Sequence, residues 1–287
     1  MPASAEELVE LLSLEEIDRN LFRGRQPDTH LQRVFGGQVA GQALIAACRT
    51  VDPRYRAHSL HSYFLLPGDT AVPIVYDVEQ LRDGRSFATR RVVARQHGRA
   101  IFFLTASFQV DESGFDHQDA MPEVPGPDEG VALADLVRAQ GREEGERFAR
   151  EWAALDVRYV GITGRGLPAD PAQPARARLW IRVNGELSGD HVQHLAAFTY
   201  ASDLTLLGAT LVPHGVTIGS PGLQPASLDH AMWFHRPFRA DEWWLYDQHA
   251  PSAQGARGLA LARVFTEDGR LVSSVAQEGL IRMRGDA

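Results

Sequence analysis

The chain has 287 residues, a net charge of −8, 44% apolar and 23% charged residues, a balance that suits one large or two ordinary globular domains and argues against a disordered chain. The acidic surplus speaks against a nucleic-acid partner, which would call for a basic face, while leaving room for an anionic ligand held by a local arginine cluster. One cysteine, Cys48, rules out an intrachain disulfide and fits a reducing cytoplasm. No signal-peptide layout and no apolar run of bilayer length is read, so the expected location is cytoplasmic with no membrane partner.

Taken in order, Ala5 to Asp18 reads as an amphipathic helix with Leu8, Leu11, Leu12 and Ile17 on one side, and Asn20 to Arg25 as a first strand. After Phe35-Gly36-Gly37-Gln38 comes Val39 to Val51, apolar almost all round and rich in Ala and Gly. Such a helix is normally buried on every side, and its small residues suit one wrapped by a sheet. Four strand-like runs follow, His58 to Leu66, Ile74 to Leu81, Phe87 to Arg95 and Ala100 to Val110. Turn signals at Pro67-Gly68-Asp69, Asp83-Gly84 and His97-Gly98 separate them. Connections this short predict antiparallel pairing.

Gly114 to Glu129, acidic with three prolines, reads as a linker, and Gly130 to Leu155 as a charged surface helix weakened by Gly141 and Gly145. The scheme then repeats. Arg178 to Val183 alternates as a half-buried strand, and His191 to Leu211 reads as an apolar helix. Strands are predicted at Ser227 to His235, Trp243 to His249, Leu259 to Phe265 and Leu271 to Ile281, with Asp268-Gly269 as a hairpin turn. A shift of about 170 superposes Ala57 to Pro67 on the later stretch ending at Pro237: Pro67 falls on Pro237, Phe64 on Phe234, Tyr63 on Trp233 and Ala57 on Ser227. The expected fold class is α+β, helix plus antiparallel strands, twice. The expected partition is residues 1–112, a linker with surface helix over 113–150, and residues 151–287.

Several chemistries lack their motif. There is no Gly-x-Ser-x-Gly elbow, no P-loop and no zincin motif, and Gly161-Ile-Thr-Gly-Arg-Gly has the wrong spacing for a dinucleotide loop. His58 and His61 fall on opposite faces of a strand. His191 and His194 share a helix face without a third ligand, so no metal site and no cofactor are expected.

The duplication isolates better candidates. Ser227 stands where the first copy has Ala57, and at a shift of 171 Gln277 stands where it has Ala106. Asp203 lies in an apolar helix, where a carboxylate is costly unless paired or working. The plain alternative is that Ser227 and Gln277 face solvent and Asp203 caps an exposed helix end. If the three converge, carboxylate, hydroxyl and amide suit activation of a water, with Asp203 as general base.

At these residues the sequence resembles the acyl-CoA thioesterase II family of double hotdog proteins. The resemblance runs through Val34-Phe-Gly-Gly-Gln-Val, His58-Ser-Leu-His-Ser-Tyr-Phe-Leu, Leu81-Arg-Asp-Gly-Arg-Ser-Phe and Thr105-Ala-Ser-Phe-Gln. In the second half it continues through Ala201-Ser-Asp-Leu, the stretch from Ser227 to Pro237, Ala256-Arg-Gly and Gln277-Glu-Gly. It implies two hotdog repeats, each a long helix wrapped by an antiparallel sheet. It also implies hydrolysis of an acyl-CoA substrate of medium to long chain, and assembly into a homodimer or homotetramer.

The family's Asp, Thr and Gln triad would fall on Asp203, Ser227 and Gln277, with serine replacing the usual threonine. His58 matches a histidine sometimes regarded as functional, and backbone N–H groups at Gly36 and Gly37 could stabilise an oxyanion. Arg82, Arg85, Arg90 and Arg91 are considered for the CoA phosphates against the reading of ordinary surface charges. Two other readings are an enoyl-CoA hydratase, whose Asp-x4-His pairing Asp203 lacks, and an acyl-CoA-binding protein without catalysis.

Overall fold

The computed structural model describes residues 1–160 and 174–284; the glycine-rich run from Gly161 lies outside them. Helix α1 covers Ala5–Leu12, capped by Ser4, whose Oγ accepts from the Glu7 N–H, and it buries Leu8, Leu11 and Leu12 as its spacing predicts. It stops earlier than expected, because Ser13 turns its hydroxyl and amide back onto the Val9 carbonyl. The remainder is strand β1 (Leu14–Asp18), paired with β2 (Leu21–Gly24), and Ile17 is left 46% exposed.

Helix α2 (Gly36–Cys48) is buried from Gly37 through Leu44 without a solvent-exposed face, and β3 (Tyr55–Phe64), β4 (Ile74–Asp83), β5 (Phe87–Gln96) and β6 (Arg99–Val110) curl around it. The linker reaches β7 (Val131–Ala132), and the predicted single helix is two, α3 (Leu133–Arg138) and α4 (Arg142–Glu151), broken at Gly141, which becomes the α4 N-cap. Strands β8 (Leu155–Tyr159) and β9 (Arg176–Val183) follow. Next come α5 (His191–Ser202), β10 (Leu223–Ser227), β11 (Asp229–Phe234), β12 (Trp244–Gln254), β13 (Arg257–Thr266) and β14 (Leu271–Met283). His191–His214 is long and apolar enough to cross a membrane by composition alone, against expectation, but it lies mostly buried inside the protein as the second core helix and its 3₁₀ extension.

One antiparallel sheet holds both halves, because β3 pairs with β11 across them in the register Asp229↔Tyr63 to Trp233↔Ser59. Its concave side holds α2 and α5, and their crossing is close because two glycines face carbonyls. A Cβ on Gly37 would sit 2.2 Å from the Tyr200 carbonyl oxygen, and one on Gly41 3.0 Å from that of Ala196. The linker is a strap over the outer face of the second half. Met121 and Val124 pack on Val160, Trp180, Leu245 and Phe265, and the Trp180 indole donates to the Pro125 carbonyl. Ion pairs Arg236–Asp116 and Arg263–Asp119 hold its acidic part.

Candidate active site

The helix predicted over His191 to Leu211 ends at Ser202, and Asp203 is its C-cap. The chain then turns into a 3₁₀ segment from Leu206, so the carboxylate leaves the helix line and points back at the N-terminus of α2. It accepts from the Gly37 backbone N–H, and a Cβ on Gly36 would lie 2.6 Å from Asp203 Oδ2. The first half's helix thus reaches the second half's carboxylate. The Gly37 N–H helps to hold the charge of the Asp203 carboxylate, so one of the two amides considered for an oxyanion faces the carboxylate here. A side chain at Gly36 would meet both Oδ2 and, at 2.8 Å, the Phe64 ring, so glycine there lets carboxylate and ring close on the start of α2.

Ser227 ends β10, and the strand predicted over Ser227 to His235 is broken directly after it, β11 beginning at Asp229. Register runs Ser227↔Gly279 on one side of the break and Ala231↔Ala276 on the other, an extra residue at Leu228. The first half carries the same irregularity between Ala57↔Phe108 and Ser59↔Ser107, so Ala57 and Ser227 are equivalent in space as well as in sequence. Ser227 Oγ donates to Asp203 Oδ1 at 3.1 Å. Gln277 on β14, fully buried, donates its amide to the same oxygen and to Ser227 Oγ at 3.0 Å. All three predicted residues converge. Burial drives the Asp203 carboxyl up to about 6, against the opposing pull of its bonds to Gln277, Ser227 and the Gly37 amide.

The other candidates stand elsewhere. His58 is the bulge residue of β3, its Nε2 2.9 Å from Ser107 Oγ on β6, and half-burial lowers its pKa. None of its hydrogen bonds reaches the triad. Arg90 is 2% exposed and saturated by Thr50, Thr89, the Arg82 carbonyl and Asp83, so it is a structural tie and not a phosphate ligand. His194 Nδ1 accepts from the Ala240 N–H. Among the described residues no group of three or more His, Cys, Asp or Glu is placed to hold a metal.

Sequence reasoning missed His230. It is fully buried on β11, with Nε2 2.8 Å from Ser202 Oγ, the residue before Asp203, and burial lowers its pKa to about 4, so the ring is neutral. Ser202 also presents its carbonyl to the Tyr246 hydroxyl at 3.0 Å. At the same 170 shift His230 replaces Leu60, so the comparison that isolated Ser227 contained this signal too.

Comparison with known proteins agrees with this architecture. The acyl-CoA thioesterase family model matches residues 160–280, and the acyl-CoA thioesterase N-terminal domain model matches residues 25–109. Acyl-CoA thioesterase 2 of Haemophilus influenzae is 41% identical over 283 residues, spanning 96% of each chain. Human acyl-coenzyme A thioesterase 8 is 39% identical, spanning 96% of this chain and 88% of its own. The crystal structure of an acyl-CoA thioesterase II from Mycobacterium marinum superposes with a TM-score of 0.82 at 47% identity, covering 97% of this chain and 99% of that one. The fold is a double hotdog, and the chain belongs to the acyl-CoA thioesterase family.

Proposed function

We propose that the protein hydrolyses medium- to long-chain fatty acyl-CoA to the free acid and CoA by direct attack of a water that Asp203 deprotonates. The observation that carries this reading is the convergence of Ser227 and Gln277 on one oxygen of a buried carboxylate. With Oδ1 committed to those donors, Oδ2 is the basic atom, and it is turned toward Gly36, which lines one groove together with Ser227. The water oxygen bonds to the thioester carbonyl carbon while its proton passes to Asp203. Collapse of the tetrahedral adduct breaks the C–S bond, and that proton leaves with the CoA thiolate as thiol. A pKa near 6 leaves the base mostly ionised at neutral pH, yet more basic than a solvated aspartate. In this reading Ser227 performs the threonine's task, since the hydroxyl bond is formed.

The test is thiol release from acyl-CoA by the parent, Asp203→Asn and Gln277→Ala proteins. Losses of roughly 10²–10⁴-fold in kcat are expected for the aspartate variant. Saturable acyl-CoA binding without thiol release by the parent would instead make the protein a binding module. A homodimer or homotetramer in the cytoplasm belongs to the same reading, supported by the exposed Tyr63 and Trp233 on the outer sheet face, and light scattering in solution tests the assembly.

A further inference from the structure

The two copies differ at more inward positions than the triad. At the shift of 170 His230 stands on Leu60, Gln248 on Val78 and Tyr246 on Tyr76. Strand register agrees: Tyr246 pairs with Val264 as Tyr76 does with Ala94, and Gln248 with Ala262 as Val78 does with Val92. All of these inward side chains are buried. In the first copy the Tyr76 hydroxyl donates to Gln42 Oε1 of α2 at 2.6 Å. In the second the bonds go instead to residues on either side of Asp203. Tyr246 donates to the Ser202 carbonyl and His230 meets the Ser202 hydroxyl, while Gln248 Nε2 donates to Thr205 Oγ1 at 2.8 Å. Burial, and after it the charge of Asp203, raises the Tyr246 pKa well above its ordinary value, so that hydroxyl remains a donor.

Ser202 has a single hydroxyl proton, which goes to the Thr199 carbonyl at 2.9 Å. The His230 ring must then donate from Nε2, which leaves Nδ1 as a bare acceptor without a partner among the described residues. From the first repeat the Ser62 hydroxyl donates to the His230 carbonyl at 2.8 Å and ties the residue to β3. Gln248 Oε1 is likewise buried without a partner. Orphaned polar atoms in a core are costly, and Leu60 and Val78 show that the scaffold folds with apolar side chains at these places. We infer that His230 and Gln248, with Tyr246, are positioning residues for the reaction, ending α5 at Ser202 and fixing the turn from which Asp203 is aimed at the start of α2. This assignment rests on the thioesterase reading. It also gives the physical reason that α5 stops where the apolar sequence continues.

The experiment measures kcat, KM and thermal melts for the parent, His230→Leu, His230→Gln, Gln248→Val and Tyr76→Phe, with thiol release from octanoyl- and hexadecanoyl-CoA as the assay. His230→Leu and Gln248→Val install the first copy's residues. Each lowers kcat by roughly 10–100-fold with KM little changed, the loss that a misplacement of about 1 Å at the base brings. His230→Gln returns a donor to Ser202 and recovers most of that loss. Tyr76→Phe removes a buried hydroxyl bond from the other copy, so it lowers the melt and leaves kcat in place. A purely structural role for His230 gives its leucine variant that same pattern, a lower melt at the parent's kcat, and this result would overturn the assignment. A glutamine variant as slow as the leucine one would do so too. Should His230→Leu fail to fold, Gln248→Val decides, and turnover at the parent's rate would count against the proposal. Absence of thiol release from the parent on both substrates would overturn the thioesterase reading itself, and the assignment with it.

Discussion

Asp203 carries a cost that can be measured apart from catalysis. Its folded pKa of about 6 lies above the ordinary 3.8, so the native state holds more protons than the unfolded chain between those values. Stability therefore falls as pH rises through that window, and the penalty is fully present above pH ~6 and absent below pH ~4. Asp203→Asn should melt higher than the parent at pH ~8, by an amount equivalent to about 1–3 kcal/mol, and at the same temperature near pH ~4. Thermal melts across pH check this. Activity runs the other way, since only the carboxylate can accept the proton: kcat/KM of the parent should rise with pH and be half-maximal near 6.

Ser227 admits a paired test at the same scale. Ser227→Ala removes a hydrogen bond to a charged group and should lower kcat by about 10–100-fold. Ser227→Thr keeps the hydroxyl, stiffens χ1 and projects a methyl toward the open groove, so its kcat should equal or exceed the parent's. A Thr variant as slow as Ala would show that the hydroxyl is not held as its 3.1 Å bond implies.

At the scale of elements, the site depends on how closely α2 and α5 cross. Helix propensity favours Gly37→Ala by up to ~1 kcal/mol, but the new Cβ would fall 2.2 Å from the Tyr200 carbonyl. A backbone oxygen cannot swing aside as a side chain does, so the overpacking cost of about 1–3 kcal/mol prevails. The variant should melt lower than the parent and lose turnover, because Tyr200 sits in the last turns before Asp203. Gly41→Ala, 2.9 Å from a Leu12 methyl and 3.0 Å from the Ala196 carbonyl, should do less on both counts. Melting curves and thiol release order the two variants, and equal effects would contradict the clash.

The elements also mark where sequence stops being informative. The apolar pattern named α2, the flanking meander and the second-half strands, since burial writes directly into period and turn residues. Comparison of the two copies named Ser227 and Gln277, polar where the first copy has alanine, and Asp203 stood out as a carboxylate in an apolar run. The end of α5 was not legible, because apolar residues continue into the 3₁₀ segment and only the backbone turn at Asp203 distinguishes the two. The break between Ser227 and Asp229 was hidden for a like reason: a bulge changes register, not composition. His230 was overlooked although it stands where the first copy has Leu60, because its strand alone does not show that the ring is buried against Ser202.

For the whole molecule, the duplication is of scaffold and the chemistry is shared unequally. The second repeat supplies Asp203, Ser227 and Gln277 from α5, β10 and β14, while the first supplies the glycines that open α2 and the amide that meets the carboxylate. Neither repeat holds the assembled constellation. The β3–β11 pairing and a core cluster drawing on both halves should therefore make unfolding a single event. The tryptophans give a direct probe, for all five, Trp152, Trp180, Trp233, Trp243 and Trp244, follow the first repeat. Fluorescence reports on the second half and on its seam with the first, where Trp152 meets Phe35 and Trp233 meets His61, whereas far-ultraviolet circular dichroism reports on both halves throughout. Urea curves from the two signals should superpose with one midpoint and one slope. A dichroism transition that precedes or trails the fluorescence would mean that the first repeat unfolds on its own, and that the shared sheet does not couple the halves.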